Sequence, residues 1–162
     1  MHNPILIANY FLTKSFQTGK EITPMKLVKL VYIAHGWHLG LYNSPLINEP
    51  VQAWKYGPVI GSVYHAFKDY SNYPITQYAP LPDQESLSPG LKQFLDRIWE
   101  VYSKFDGLQL STMTHQPNTP WDIVWNKEGG KAKRAVIIGT DVITEHYKSK
   151  MNDNAAAESA AI

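Results

Sequence analysis

Histidine is the side chain in this sequence best suited to acid–base or metal chemistry, and the chain holds six. His35 and His38 stand three apart, so on a helix they share a face and could ligate a metal together. No third ligand of matching spacing lies nearby, and His65 falls on a different expected helix. The plainer reading leaves one of the pair at the surface and tucks the other against Trp37 or Tyr42. His115, in Ser111-Thr-Met-Thr-His-Gln116, falls at an expected helix end, where an imidazole can bond terminal carbonyls. As a general base it would need a carboxylate, and Asp122 is near in sequence but lies beyond Pro117 and Pro120. Capping, partner contact and catalysis, in that order, are the roles open to it. The sequence contains no phosphate loop, no dinucleotide fingerprint and no nucleophile elbow. Lys127, Lys131, Lys133 and Arg134 cluster around Gly129-Gly130 and could face an acidic partner or RNA, but short basic runs are more often solvated loops. Nothing here specifies a reaction.

Recognition is better supplied. Glu49-Pro-Val-Gln-Ala-Trp-Lys-Tyr-Gly-Pro-Val-Ile60 sets two bulky aromatics, a lysine and a Gly57-Pro58 pair between apolar segments. In extended backbone Trp54 and Tyr56 share a face, with Lys55 and Gly57 opposite. Gly57 frees the backbone at a turn, and Pro58 suits the first turn of a following helix. Two readings stay open: aromatics closing over a core, or a rigid aromatic platform offered to a partner, since Trp and Tyr are frequent interface anchors.

Composition narrows the class. A chain of 162 residues is most economically one domain, large enough to bury a real core. The chain is 44% hydrophobic, with 12% aromatic and 18% charged residues and a net charge of +1. Near-neutral charge argues against nucleic acid as partner. The absence of cysteine excludes disulfides, Cys-ligated zinc and thiol catalysis. No apolar run suits a membrane span and no basic region precedes the first apolar stretch, so a cytoplasmic protein is expected.

The elements that must position these residues are mostly helices. Asn3-Pro4, Thr23-Pro24 and Ser88-Pro89 each combine a capping side chain with proline at the first helical position. The second helix, Met25 to Leu39 with Gly40 beyond, is apolar almost all round and should be central, with Lys26, Lys29, His35 and His38 as exceptions. Leu46-Ile47 and Val51 to Ala53 suggest short strands of a small hairpin, and a third helix is expected from Pro58 to Tyr70. Leu91, Phe94, Leu95, Ile98, Tyr102 and Phe105 follow a clean 3.6-residue period. Thr140-Asp141 caps a last helix through Lys150, and the alanine-rich tail from Met151 to Ile162 should be flexible and could serve as a degradation signal. The expected fold is a mainly α, compact single-domain bundle of about six to seven helices, with a small β-hairpin between the second and third, over residues 1–150 and a tail over 151–162.

Five blocks in order resemble the Panacea domain family, also called phage-associated GepA-like or SocA-like proteins. Thr23 to Leu39 is similar to the family's opening helix, although His35 stands where glutamine is commoner. Glu49 and Ala53-Trp-Lys-Tyr-Gly-Pro-Val59, then Tyr64, Leu110 to Gln116 with Pro120-Trp121, and Ile143 to Tyr147 resemble the remaining blocks. The resemblance implies a non-enzymatic antitoxin that neutralises a cognate protein toxin by direct binding. A branch of the family acts as an adaptor handing its toxin to an AAA+ protease. Candidate partner-binding residues are Trp54, Lys55, Tyr56, Gly57, Pro58 and Val59, with Tyr64, His115, Gln116 and Trp121. No cofactor or metal is implied, and the toxin and the oligomeric state are left unspecified. The competing class is a small hydrolase built on His115 and Asp122, and a third is a repressor of its own operon.

Overall fold

In a computed structural model, which describes residues 1–81 and 85–160 (for 155–160 the backbone alone), the chain forms α1 (Pro4–Thr18), α2 (Pro24–Tyr42), β1 (Val51–Trp54), β2 (Gly57–Val59), α3 (Gly61–Phe67), α4 (Pro89–Tyr102), α5 (Gly107–Thr114), α6 (Pro120–Asp122), β3 (Val136–Ile138) and α7 (Thr140–Ala160). The fold is mainly α, and none of the described helices is long and apolar enough to cross a membrane.

The three cap-plus-proline starts all form helices. Asn3 accepts from the Ile5 amide at 2.9 Å, Thr23 from Lys26 at 3.4 Å and Ser88 from Leu91 at 3.2 Å. Asp106 and Gln109 add a reciprocal capping box at the start of α5. α2 lies at the centre, touching α1, α3, α4, α5 and α7, which is why so little of its surface is polar. It runs through Gly40 to Tyr42 instead of stopping at Leu39. Gly36 and Gly40 are packing positions: a Cβ on Gly36 would overlap the Tyr147 ring, and one on Gly40 would lie 2.8 Å from the Tyr147 Cβ. Their missing side chains let α7 lie directly against α2.

The β element differs from expectation in three ways. Leu46 and Ile47 do not pair with β1; the Leu46 carbonyl and the Ile47 position join the backbone of His2 instead. β1 pairs antiparallel with β2, Trp54 opposite Gly57, so the chain reverses at Lys55 and Tyr56, and Pro58 lies in a strand where a helix start was expected. Proline is tolerated there because β2 is an edge strand, and helix α3 waits until Gly61. The run Val136–Ile138 adds to the other side of β1 and completes a sheet of order β2-β1-β3. The last helix continues past Lys150 to Ala160, as the high helix propensity of alanine favours.

Candidate functional site

The β1–β2 reversal is built on one glycine. Neither Lys55 nor Tyr56 takes a positive φ, whereas Gly57 sits at 117°, a conformation side chains rarely adopt. Because Tyr56 belongs to the turn, it does not share a strand face with Trp54. The strand-face neighbour of Trp54 is Gln52, whose Oε1 accepts from the Trp54 indole at 2.8 Å and fixes the ring.

Beneath the turn, alternate carbonyls are each taken by a side chain from a different element. Trp121 on α6 donates its indole N–H to the Trp54 carbonyl at 2.6 Å. Ser111 on α5 donates its hydroxyl to the Tyr56 carbonyl at 2.6 Å. Lys29 on α2 donates its ammonium to the Pro58 carbonyl at 2.8 Å. Buried carbonyls need donors, and a hairpin this short cannot supply them itself. Glu49 completes the frame by accepting from the Ser62 amide at 2.9 Å, which caps α3.

Lys29 is only 2% exposed, and burial pushes its ammonium pKa down to about 7. Its neighbour one turn back, Lys26, is also buried, donates to the Ser103 carbonyl at 2.6 Å and stands over the Trp99 ring. Sequence reasoning marked both lysines only as exceptions in an apolar helix. A polar residue on a helix without a polar face was the available signal, since buried lysine occurs essentially with a partner.

The expected partner-binding residues separate into two layers. Gly57, Pro58, Val59 and Trp121 are buried and support the turn. Lys55, Tyr56, Tyr64 and Gln116 are exposed, Tyr56 by 61%, while Trp54 and His115 are half-buried. Trp54 packs edge-on against Tyr64 with ring centroids 4.8 Å apart, and Lys55 stands 5.4 Å above the Tyr56 ring. These side chains, with Met25, Val28 and Lys29 of α2, line an open pocket of about 450 Å³.

Among the described residues no histidine is joined to both a hydroxyl and a carboxylate: His115 Nδ1 lies 3.5 Å from the Ser111 hydroxyl, which itself donates to the Tyr56 carbonyl. His35 is 3% exposed, accepts from the Leu46 amide at 3.3 Å, and has its pKa lowered to about 4 by burial and by His38. His38 packs edge-on against Tyr42 and Phe94 and bonds the Ser44 carbonyl at 2.6 Å. The expectation that one of the pair sits at the surface and the other is tucked against Trp37 or Tyr42 is met only for His38. His115 occupies the C-terminal cap of α5 and packs against Trp121 at 5.3 Å. Asp122 accepts from the Asn118 amide and the Asn126 side chain, and no hydrogen bond joins it to His115 among the described residues. No group of three or more metal-ligating side chains is assembled among the described residues.

The residues that converge on the turn are those of the sequence blocks themselves: Lys29 from the first, Trp54 to Val59 from the second, Ser111 and Trp121 from a later one, with His115 packed behind them on Trp121. The family model described as antitoxin SocA-like, Panacea domain, matches residues 27–122. The chain belongs to this family. It is also 28% identical over 151 residues to Antitoxin SocA of Caulobacter vibrioides (strain NA1000 / CB15N), a match covering 88% of this chain and 80% of that protein. No solved structure matches significantly. In this Panacea domain, then, the first four blocks meet at the Trp54–Val59 hairpin, while the last, Ile143 to Tyr147, packs against α2.

Proposed function

We propose that this protein is an antitoxin that binds a cognate protein toxin through the outer face of the β1–β2 hairpin. The observation that carries the reading is the pairing of a rigid support with an exposed tip. Three side-chain donors from three helices hold the turn, yet Lys55, Tyr56 and Tyr64 above it are exposed. A preorganised aromatic platform loses little conformational freedom on binding, which is how a few anchors come to dominate an interface. Family membership supports a toxin as the partner class. The binding reading is favoured over a hydrolase because the hydrogen bonds of Asp122 go to Asn118 and Asn126 and not to His115.

The test is growth of cells expressing the adjacent open reading frame, with and without this protein. Arrest by the neighbour alone and restored growth with this chain support the reading; a harmless neighbour, or one whose toxicity is unchanged, overturns it. Following the toxin's half-life in rescued cells separates blocking, in which the toxin persists, from delivery to an AAA+ protease, in which it disappears.

A further inference from the structure

The pocket beside the hairpin has a one-sided charge. Lys29, Lys55 and Lys68 line it, together with the apolar surfaces of Met25, Trp54 and Tyr64, and among the described residues no aspartate or glutamate takes part. Lys55 and Lys68 are exposed at its rim, whereas Lys29 is buried. An ammonium has three donors, and Lys29 gives one to the Pro58 carbonyl. Among the described residues Lys29 pairs with no carboxylate. A buried amine without a counter-ion at the wall of an apolar pocket is held in its charged form by an anion delivered to it in a water-excluded complex.

We infer that this pocket takes a short segment of the partner protein in which an apolar or aromatic side chain is followed by a carboxylate. The apolar group packs against Trp54, Tyr64 and Met25, and the carboxylate faces Lys29 between the rim lysines. The inference rests on the toxin-binding reading and adds the chemistry of what the toxin presents. A phosphate backbone is the competing anion. The protein's net charge of +1 supplies little of the long-range attraction that nucleic-acid binding draws on. The pocket, moreover, offers one localised site rather than a track of basic residues.

The test uses the intact protein and four probes: the acetylated, amidated peptides Gly-Phe-Asp-Gly, Gly-Phe-Asn-Gly and Gly-Phe-Lys-Gly, and a uridine dinucleotide. Each is titrated while the indole N–H resonance of Trp54 is followed. The aspartate peptide should shift that resonance and bind about tenfold more tightly than the asparagine peptide, with the lysine peptide weakest. The double variant Lys55→Glu/Lys68→Glu changes only exposed side chains, so it should melt as the parent does and lose the preference. Equal binding of the aspartate and asparagine peptides, no shift at Trp54, or tighter binding of the dinucleotide overturns the inference. The same double variant in the growth assay keeps the two readings apart. If it still neutralises the toxin fully, the pocket inference fails while toxin binding stands. If the aspartate preference is measured but the neighbouring gene is harmless, the pocket chemistry holds and the antitoxin reading falls.

Discussion

The Lys29 ammonium donates to the Pro58 carbonyl at 2.8 Å from a position only 2% exposed, so the second strand of the hairpin hangs on a buried cation. That arrangement costs stability whenever the amine is charged. Burial lowers the Lys29 pKa in the fold to about 7 from its ordinary 10.5. Between those two values the unfolded chain binds more protons than the folded one, so stability rises with pH across that window. The cost is fully present below about pH 7. Urea unfolding should therefore show this group adding about 2 kcal/mol between pH 7 and pH 9, and Lys29→Met should lack that increment. An identical pH slope in parent and variant would show that Lys29 is not responsible.

His35 should act in the acid range. Its pKa falls from 6.5 to about 4 in the fold, so protons enter the unfolded state first as pH drops. Stability attributable to it is complete above pH 6.5 and declines towards pH 4 by up to about 3 kcal/mol. His35→Gln keeps an acceptor for the Leu46 amide and removes the titration. Its denaturation midpoint should vary less than the parent's between pH 6.5 and pH 4.5.

Trp121 and Tyr56 should fail in opposite assays. Trp121 is 6% exposed and holds the Trp54 carbonyl, so Trp121→Ala should cost about 3–5 kcal/mol of folding stability. Tyr56 is 61% exposed, and Tyr56→Ala should change stability by less than about 0.5 kcal/mol while weakening toxin binding by ~2 kcal/mol. Thermal melts paired with a toxin pull-down read both. A Tyr56→Ala protein that melts normally and binds normally would remove Tyr56 from the interface.

Gly36 tests the contact of α2 with α7. A methyl group there meets the Tyr147 ring, so Gly36→Ala should destabilise by about 1–3 kcal/mol despite the better helix propensity of alanine. Gly36→Ala with Tyr147→Leu should recover part of that loss if the clash is the cause, and a melting study of the single and double variants checks it.

The sequence by itself determined what is local. Asn3, Thr23 and Ser88 followed by proline announce helix starts because the capping oxygen and its amide lie within three residues of each other. The apolar circumference of α2 announces a central helix for a similarly local reason, since 3.6-residue periodicity is written in consecutive positions. The order of the blocks was likewise enough to show the family resemblance and the absence of familiar catalytic motifs. What only tertiary structure decided depends on partners distant in the chain. Pro58 became an edge-strand residue because β1 offered it a neighbour and β3, from Val136 onward, occupied the other side. Gly40 became a packing site and not a helix stop because Tyr147 lies against it. Trp54 is half-buried rather than wholly core or wholly interface because Gln52 and Tyr64 fix its ring at the pocket wall. Lys29, Ser111 and Trp121 meet at the hairpin because buried carbonyls must find donors, and sequence spacing carries no trace of which donors will reach them.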